Sequence, residues 1–232
     1  MNISFVDYRL TEKQINLLLD EGLNIIKVPK SNNLYDAISG HPDIQLNIIN
    51  SKKIILAKNS NLSLETLNQY NIDFEYSSKE LEEKYPKNIF LNAVNLKDFF
   101  IHNFKFTDKN LLKHVSDKEL INIKQGYSKC SIAIVNDKAL ITSDLGIYNT
   151  LKKYPLDVLL IPSGDIILPG LSYGFIGGTC GLISEDKMAF LGDLKNHSYG
   201  NDIKDFLFKH NVEPIYLDEG KLIDRGSILT LF

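Results

Sequence analysis

The feature that most constrains this chain is a short hairpin written repeatedly at intervals in the forties. Its fullest copy runs from Phe175 to Asp193: a strand, a polar turn, a second apolar strand, an Asp, and then a helical stretch. Gly126 to Asp144 repeats the layout, Gly40 to Asn59 repeats it with apolar alternation at Ile44, Leu46 and Ile48, and Asn88 to Asn103 is a weaker copy. The turn positions Lys52, Lys97, Asp137 and Asp186 are spaced by 45, 40 and 49 residues. One further step lands near Phe232, and one step back from Lys52 lands near the N-terminus. The chain ends are therefore expected to share one hairpin, Gly226 to Leu231 as its first strand and Asn2 to Asp7 as its second, so that five units close a ring.

Each second strand leads into a helix and a third strand. Thr11-Glu12-Lys13-Gln14 is a capping-box pattern, Ile15, Leu18 and Leu19 have helical spacing, Gly22 can end the helix, and Leu23 to Val28 reads as a strand. Ser63 to Tyr70, Asp108 to Val115, Ile147 to Tyr154 and a helix capped by Asp202 follow in the other units. Their third strands are Ile72 to Tyr76, Leu120 to Ile123, Val158 to Ile161 and Val212 to Leu217. Units of fewer than ~50 residues cannot bury their own faces and need neighbours. The expected fold is an α/β, five-bladed pseudo-symmetric propeller of ββαβ units, a single domain over residues 1–232 with the termini sharing a blade.

Composition narrows the function classes. The 44% hydrophobic content supports a sizeable core, while the longest apolar runs fall well short of the ~18 residues of a membrane span. The first residues lack a basic segment before an apolar run, so no secretion signal is expected. With only Cys130 and Cys180 a disulfide framework is excluded, and cytoplasmic residence with reduced thiols is expected. A net charge of −3 with scattered Lys and Arg gives no footprint for nucleic acid, and no membrane partner is expected. There is no phosphate-binding loop, no H-E-x-x-H and no paired C-x-x-C. His41, Asp43, Asp193 and His197 are residue types that ligate metals, but no His-x-His-x-Asp cluster occurs, so neither a metal nor a cofactor is expected.

Three glycines, Gly177, Gly178 and Gly181, surround Cys180. Glycine inside a strand pattern marks close approach of a ligand or another backbone, so Cys180 is the first candidate for a reactive thiol, with burial as a small hydrophobe the alternative. Cys130, in a more ordinary strand, is the lesser candidate. His41-Pro42-Asp43 places a titrating imidazole beside a carboxylate at a strand start. Asp144 and Asp193 occupy equivalent strand ends, where each can either cap the following helix or point inward, and Asn92 is a neutral candidate of the same kind. Asp224-Arg225-Gly226-Ser227 reads as the turn into the closing strand.

A ring of five ββαβ units with shared termini resembles the pentein fold of the guanidino-group-modifying enzymes. Gly40-His41-Pro42-Asp43, Pro162-Ser163-Gly164-Asp165 and Gly174-Phe175-Ile176-Gly177-Gly178 resemble stretches of a small bacterial family in that superfamily. Ile141-Thr142-Ser143-Asp144 is similar to the Phe-Thr-Arg-Asp strand end of the deiminases, with Ser143 in place of the arginine. Their Glu-Gly-Gly-Asp motif is matched only in part, by Pro162-Ser163-Gly164-Asp165 without the glutamate and by Ile176-Gly177-Gly178-Thr179 without either acid. In those enzymes a cysteine, usually in the last blade, attacks the guanidinium carbon, a histidine manages protons and carboxylates hold the cation. Here the last blade offers Ser227. The resemblance implies a cysteine-dependent hydrolase or transferase acting on a small guanidine- or amidine-like molecule in a central channel. Cys180 would attack, His41 would shuttle the proton, and Asp43 with Asp144 would orient the cation. Asn92, Asp165 and Asp193 are further substrate-binding candidates. The alternative is a non-catalytic member that uses the ring as a binding platform.

Overall fold

A computed structural model describes residues 2–232. It contains five three-stranded sheets arranged as blades. The first is built from both ends of the chain: β1 (Ile3–Asp7), the helix α1 (Glu12–Asp20) and β2 (Asn24–Val28), completed by a C-terminal strand, Leu229–Leu231. The second blade has a helical turn α2 (Pro42–Gln45), β3 (Leu46–Asn50), β4 (Lys53–Leu56), α3 (Leu64–Gln69) and β5 (Asp73–Tyr76). The third has β6 (Val94–Asn95), β7 (Phe99–His102), α4 (Lys109–Lys113) and β8 (Glu119–Asn122). In the fourth a helical turn α5 (Ser128–Ser131) precedes β9 (Ile132–Asn136), β10 (Ala139–Thr142), α6 (Leu145–Leu151) and β11 (Asp157–Leu160). The fifth has β12 (Cys180–Leu182), β13 (Lys187–Phe190), α7 (Gly200–Lys209) and β14 (Glu213–Tyr216), and the chain ends in β15 (Leu229–Leu231).

Every blade has the same topology, an antiparallel hairpin whose second strand lies centrally and pairs in parallel with a third strand reached through the helix. The termini meet as expected: Ile3 pairs with Leu231, Ser4 with Thr230 and Phe5 with Leu229, antiparallel.

The central strands explain why the ring closes. In β4, Ile54 and Leu56 pack with the terminal blade while Ile55 faces the third blade. In β13, Met188 and Phe190 join the fourth blade while Ala189 packs with the terminal blade. Because side chains alternate along a strand, an apolar run serves two neighbours at once. The five apolar clusters each join two adjacent blades, so each blade covers a face its neighbour could not bury alone.

Capping follows the sequence signals closely. Thr11 and Gln14 form the reciprocal capping box at α1, and Ser63, Asp108 and Asp144 cap α3, α4 and α6. The last helix differs: it starts at Gly200, so Asp202 lies inside its first turn rather than capping it. Gly200 has no side chain to clash with the Leu194 carbonyl, where a Cβ would approach to 1.9 Å, and the helix extends back to that point. Among the described residues, no helix is long and apolar enough to cross a membrane.

Candidate functional site

The inner strands β3, β6, β9, β12 and β15 surround a cavity of about 580 Å³. Its mouth lies at the hairpin turns, among Asn50, Lys97, Asp137 and Glu185. Its walls are Leu46, Ile48, Ile134, Leu182 and Leu229, and Asp43 and Lys129 lie buried at its closed end.

The closed end is made by five turns, one before each inner strand. Ile176 to Thr179, expected as strand, is instead a 3-10 turn, matching the helical turns α2 and α5. The turns are tied into a cycle. Asp43 N–H donates to the Gly226 carbonyl, Asn92 Nδ2 to the Asp43 carbonyl at 3.0 Å, and Lys129 N–H to both oxygens of Asn92. Lys129 Nζ reaches the Gly177 carbonyl at 3.4 Å, and Ser227 N–H donates to the Gly178 carbonyl. Such closeness needs glycine: a Cβ on Gly177 would lie 2.3 Å from the Lys129 and Ile132 carbonyl oxygens, and one on Gly178 would lie 2.0 Å from Asp224 Oδ1. The glycines around Cys180 therefore admit neighbouring parts of the chain.

The turns bring a buried polar group together. Cys130 Sγ lies 3.1 Å from Asp43 Oδ2 and donates to it, while Asn92 Nδ2 donates to the sulfur at 3.2 Å. Ser227 Oγ lies 2.7 Å from both Asp43 Oδ2 and the Gly177 carbonyl and accepts from Lys129 Nζ at 2.9 Å. Ser227 holds a left-handed backbone, φ 72°, which a non-glycine residue adopts at a cost. Asp224 accepts from Gly226 N–H and Phe175 N–H, and its Oδ1 is 3.8 Å from His41 Nδ1. Both His41 nitrogens and Asp43 Oδ1 are buried and, among the described residues, without a hydrogen-bond partner.

Burial dominates the protonation of this group. It pushes the Cys130 thiol well above its ordinary range, and the Asp43 and Asp224 charges push the same way. It raises Asp224 to about 7, with Asp43 adding to the rise, and it raises Asp43 against the opposing pull of Lys129 and the hydrogen bonds. His41 is driven well below its usual value by desolvation first and by Arg9 and Arg225 second. The resting group thus holds a neutral imidazole and a protonated thiol at neutral pH.

The other candidates lie elsewhere. Cys180 is buried in an apolar cluster with Ile166, Ile176, Phe190 and Leu222, and its sulfur contacts the Ile176 carbonyl at 3.5 Å. Burial pushes its thiol to about 11. Asp144 caps α6 through Ile147 N–H, Asp193 caps the turn Leu194–Asn196 and pairs with Lys195, and Asp165 accepts from Ser198 N–H and Oγ. None of the three is hydrogen-bonded to the buried group. His197 also stands outside it, its Nδ1 accepting from Tyr199 N–H.

The sequence singles out His41, Asp43 and Asn92, ranks Cys130 below Cys180, offers Asp224 and Ser227 only as parts of a turn, and gives no sign of Lys129. The repeat itself marks Asp224 and Ser227. Asp224-Arg225-Gly226-Ser227 precedes its inner strand as Gly40-His41-Pro42-Asp43 precedes β3. The expectation of no metal also meets a difference, because the fold gathers a His, an Asp and a Cys that are scattered in sequence.

Three solved structures share the architecture. An amidinotransferase of saxitoxin biosynthesis from Microseira wollei aligns with a TM-score of 0.56 at 11% identity, over 97% of this chain and 89% of that one. DDAH from Pseudomonas aeruginosa, complexed with citrulline, aligns with a TM-score of 0.54 at 10% identity, over 94% and 91%. A dimethylarginine dimethylaminohydrolase adduct with 4-chloro-2-hydroxymethylpyridine gives 0.56 at 10% identity, over 94% and 91%. At such identities the likeness is one of fold, and the chain has the pentein fold of these proteins. No curated protein sequence matches it. Residues 5–229 match the profile of a family described as a family of unknown function (DUF6873), and it is to this family that the chain belongs.

Proposed function

We propose that the five blades act as one domain over residues 1–232 that admits a small guanidine- or amidine-like molecule to the central channel and modifies it by hydrolysis or group transfer. One observation carries this reading. The channel ends on a buried carboxylate, Asp43, that itself holds a thiol, Cys130, at 3.1 Å.

An amidinium reaching Asp43 gains charge-assisted hydrogen bonds, which are strongest where water is excluded. Its positive charge also favours the thiolate of the neighbouring cysteine, which burial and the Asp43 and Asp224 charges disfavour. Cys130 would pass its proton to Asp43 and bond to the amidine carbon. Cleavage of a carbon–nitrogen bond would then release an amine that takes up the proton left on Asp43, relayed by the neutral imidazole of His41. Water or an acceptor amine would break the carbon–sulfur bond and restore the thiol. The thiol in this reading is Cys130 rather than Cys180, whose apolar surroundings hold no base. The fold of an amidinotransferase and of a dimethylaminohydrolase supports the reaction class. Free thiol chemistry also suits a reducing cytoplasm.

A second reading is a binding protein without turnover, and Lys129 favours it. Its ammonium already lies against Ser227, in the place an incoming cation would take. Methylguanidine and benzamidine separate the two. Turnover predicts release of amine or ammonia from a panel of substituted guanidines, abolished in Cys130→Ser and Asp43→Asn. Binding alone predicts a ligand-dependent rise in melting temperature, lost in Asp43→Asn, with no product. Neither signal in the wild type would sink both.

A further inference from the structure

We propose that His41, Asp43 and Cys130 form a binding site for one divalent transition-metal ion of the zinc type. The inference goes beyond the reaction above and does not need it, since a chain that binds metal and turns over no amidine would satisfy it.

Three observations converge. Each residue presents a ligand atom, and the three atoms lie within 4.8 Å of one another. With zinc bonds of about 2.0 to 2.3 Å, ligands around a tetrahedron stand roughly 3.3 to 3.7 Å apart. A contraction of about 1 Å, within the reach of side-chain rotation, therefore completes the geometry. Next, both ring nitrogens of His41 and Asp43 Oδ1 are buried without hydrogen-bond partners. Buried polar atoms are almost always satisfied by protein, water or an ion, and an ion held between His41 and Asp43 would satisfy one nitrogen of the ring and the carboxylate together. Finally, a thiolate and a carboxylate together balance a divalent cation, and the mixture of sulfur, nitrogen and oxygen donors suits zinc or cobalt rather than magnesium or calcium.

The surroundings match those of a metal site. Asn92 fixes two ligands at once, through Cys130 Sγ, the Cys130 N–H and the Asp43 carbonyl. Asp224 lies 3.8 Å from His41 Nδ1, beyond hydrogen-bonding distance but on the side of the ring from which a carboxylate could orient it once Nε2 is ligated. His41 and Asp43 come from the second blade and Cys130 from the fourth, so the site exists only in the closed ring. Three protein ligands leave one tetrahedral position open. Because a ligated thiolate is not free to react, metal occupancy and alkylation of Cys130 exclude each other.

Cobalt(II) tests the site directly, since a cobalt–thiolate bond gives an intense near-ultraviolet charge-transfer band and tetrahedral cobalt gives strong visible bands. The full-length protein, reduced and freed of metal with a chelator, is titrated with Co²⁺ and then with Zn²⁺. One equivalent of Co²⁺ should produce both bands, and Zn²⁺ should displace it. Cys130→Ser should abolish the charge-transfer band, His41→Gln should weaken binding more than about tenfold, and Cys180→Ser should leave the spectrum unchanged. Should Cys130→Ser fail to fold, the wild type still decides, because bound Zn²⁺ must protect Cys130 from iodoacetamide in mass-spectrometric mapping. No thiolate band at stoichiometric Co²⁺, a band that depends on Cys180, or no protection by Zn²⁺ overturns the proposal.

Discussion

The fourth and fifth blades each carry one cysteine beside the turn that precedes the inner strand, and they put it to opposite uses. In the fourth, Cys130 is on the turn and meets Asp43 and Asn92 from other blades. In the fifth, Cys180 comes after the turn, as the first residue of β12, and its side chain falls into the apolar seam between blades. The two sulfurs differ by about two residues relative to the strand start, and that is enough because Cys130 still belongs to the helical turn, which carries its side chain to the axis, whereas Cys180 is already in the extended strand. What decides the chemistry of each sulfur is whether it sits on the turn or on the strand that follows, and the glycines near Cys180 serve the packing of the turns.

The comparison breaks most visibly at the turns. Gly177→Ala places a methyl group against the Lys129 and Ile132 carbonyls, so we expect loss of at least about 4 kcal/mol or failure to fold, read by urea denaturation. A mild effect would mean that the cycle of turns is loose. The next effect is a pH dependence. Asp224 is held up to about 7 against an ordinary 3.8, so folding favours its protonated form. The stability this adds is complete below about pH 3.8 and is lost as pH rises through about 7. Measured against Asp224→Asn, the wild type should lose roughly 2 to 4 kcal/mol between pH 4 and 7.5. A flat difference would contradict the burial of this carboxyl. His41 works in the opposite direction, being neutral when folded, which is why the comparison with the variant is needed.

Asn92→Ala removes bonds to Asp43, Lys129 and Cys130 and should cost about 2 to 3 kcal/mol in the same denaturation assay. Cys180→Ser puts a hydroxyl into a largely apolar seam against the Ile176 carbonyl, and should cost about 1 to 2 kcal/mol while leaving thiol reactivity at Cys130 unchanged. A change in that reactivity would couple the two thiols and blur the distinction.

Much of the ring was legible because its signals are local and repeated. The turn spacing, the Thr11 to Gln14 capping box and the apolar ends of the chain each say the same thing without knowledge of tertiary contacts. The axial group was legible only in part. His41-Pro42-Asp43 stands out as three residues in a row, but Cys130 lies 87 residues from Asp43 and Ser227 lies 184 from it, and nothing in either neighbourhood marks the pairing. Glycine drew attention to Cys180 because the same residue accommodates a ligand or a carbonyl, and sequence alone does not tell which.

The distinction between the two thiols is tested most directly by 2-chloroacetamidine, a cationic alkylating agent, with neutral chloroacetamide as its control. The modified residue is mapped by mass spectrometry in the native, metal-free protein. The site described above predicts modification at Cys130, a rate that climbs as pH rises because burial holds the thiol protonated, and a preference for the cation that disappears in Asp43→Asn. Modification of native Cys180, or labelling of neither thiol until the protein is unfolded, would contradict it.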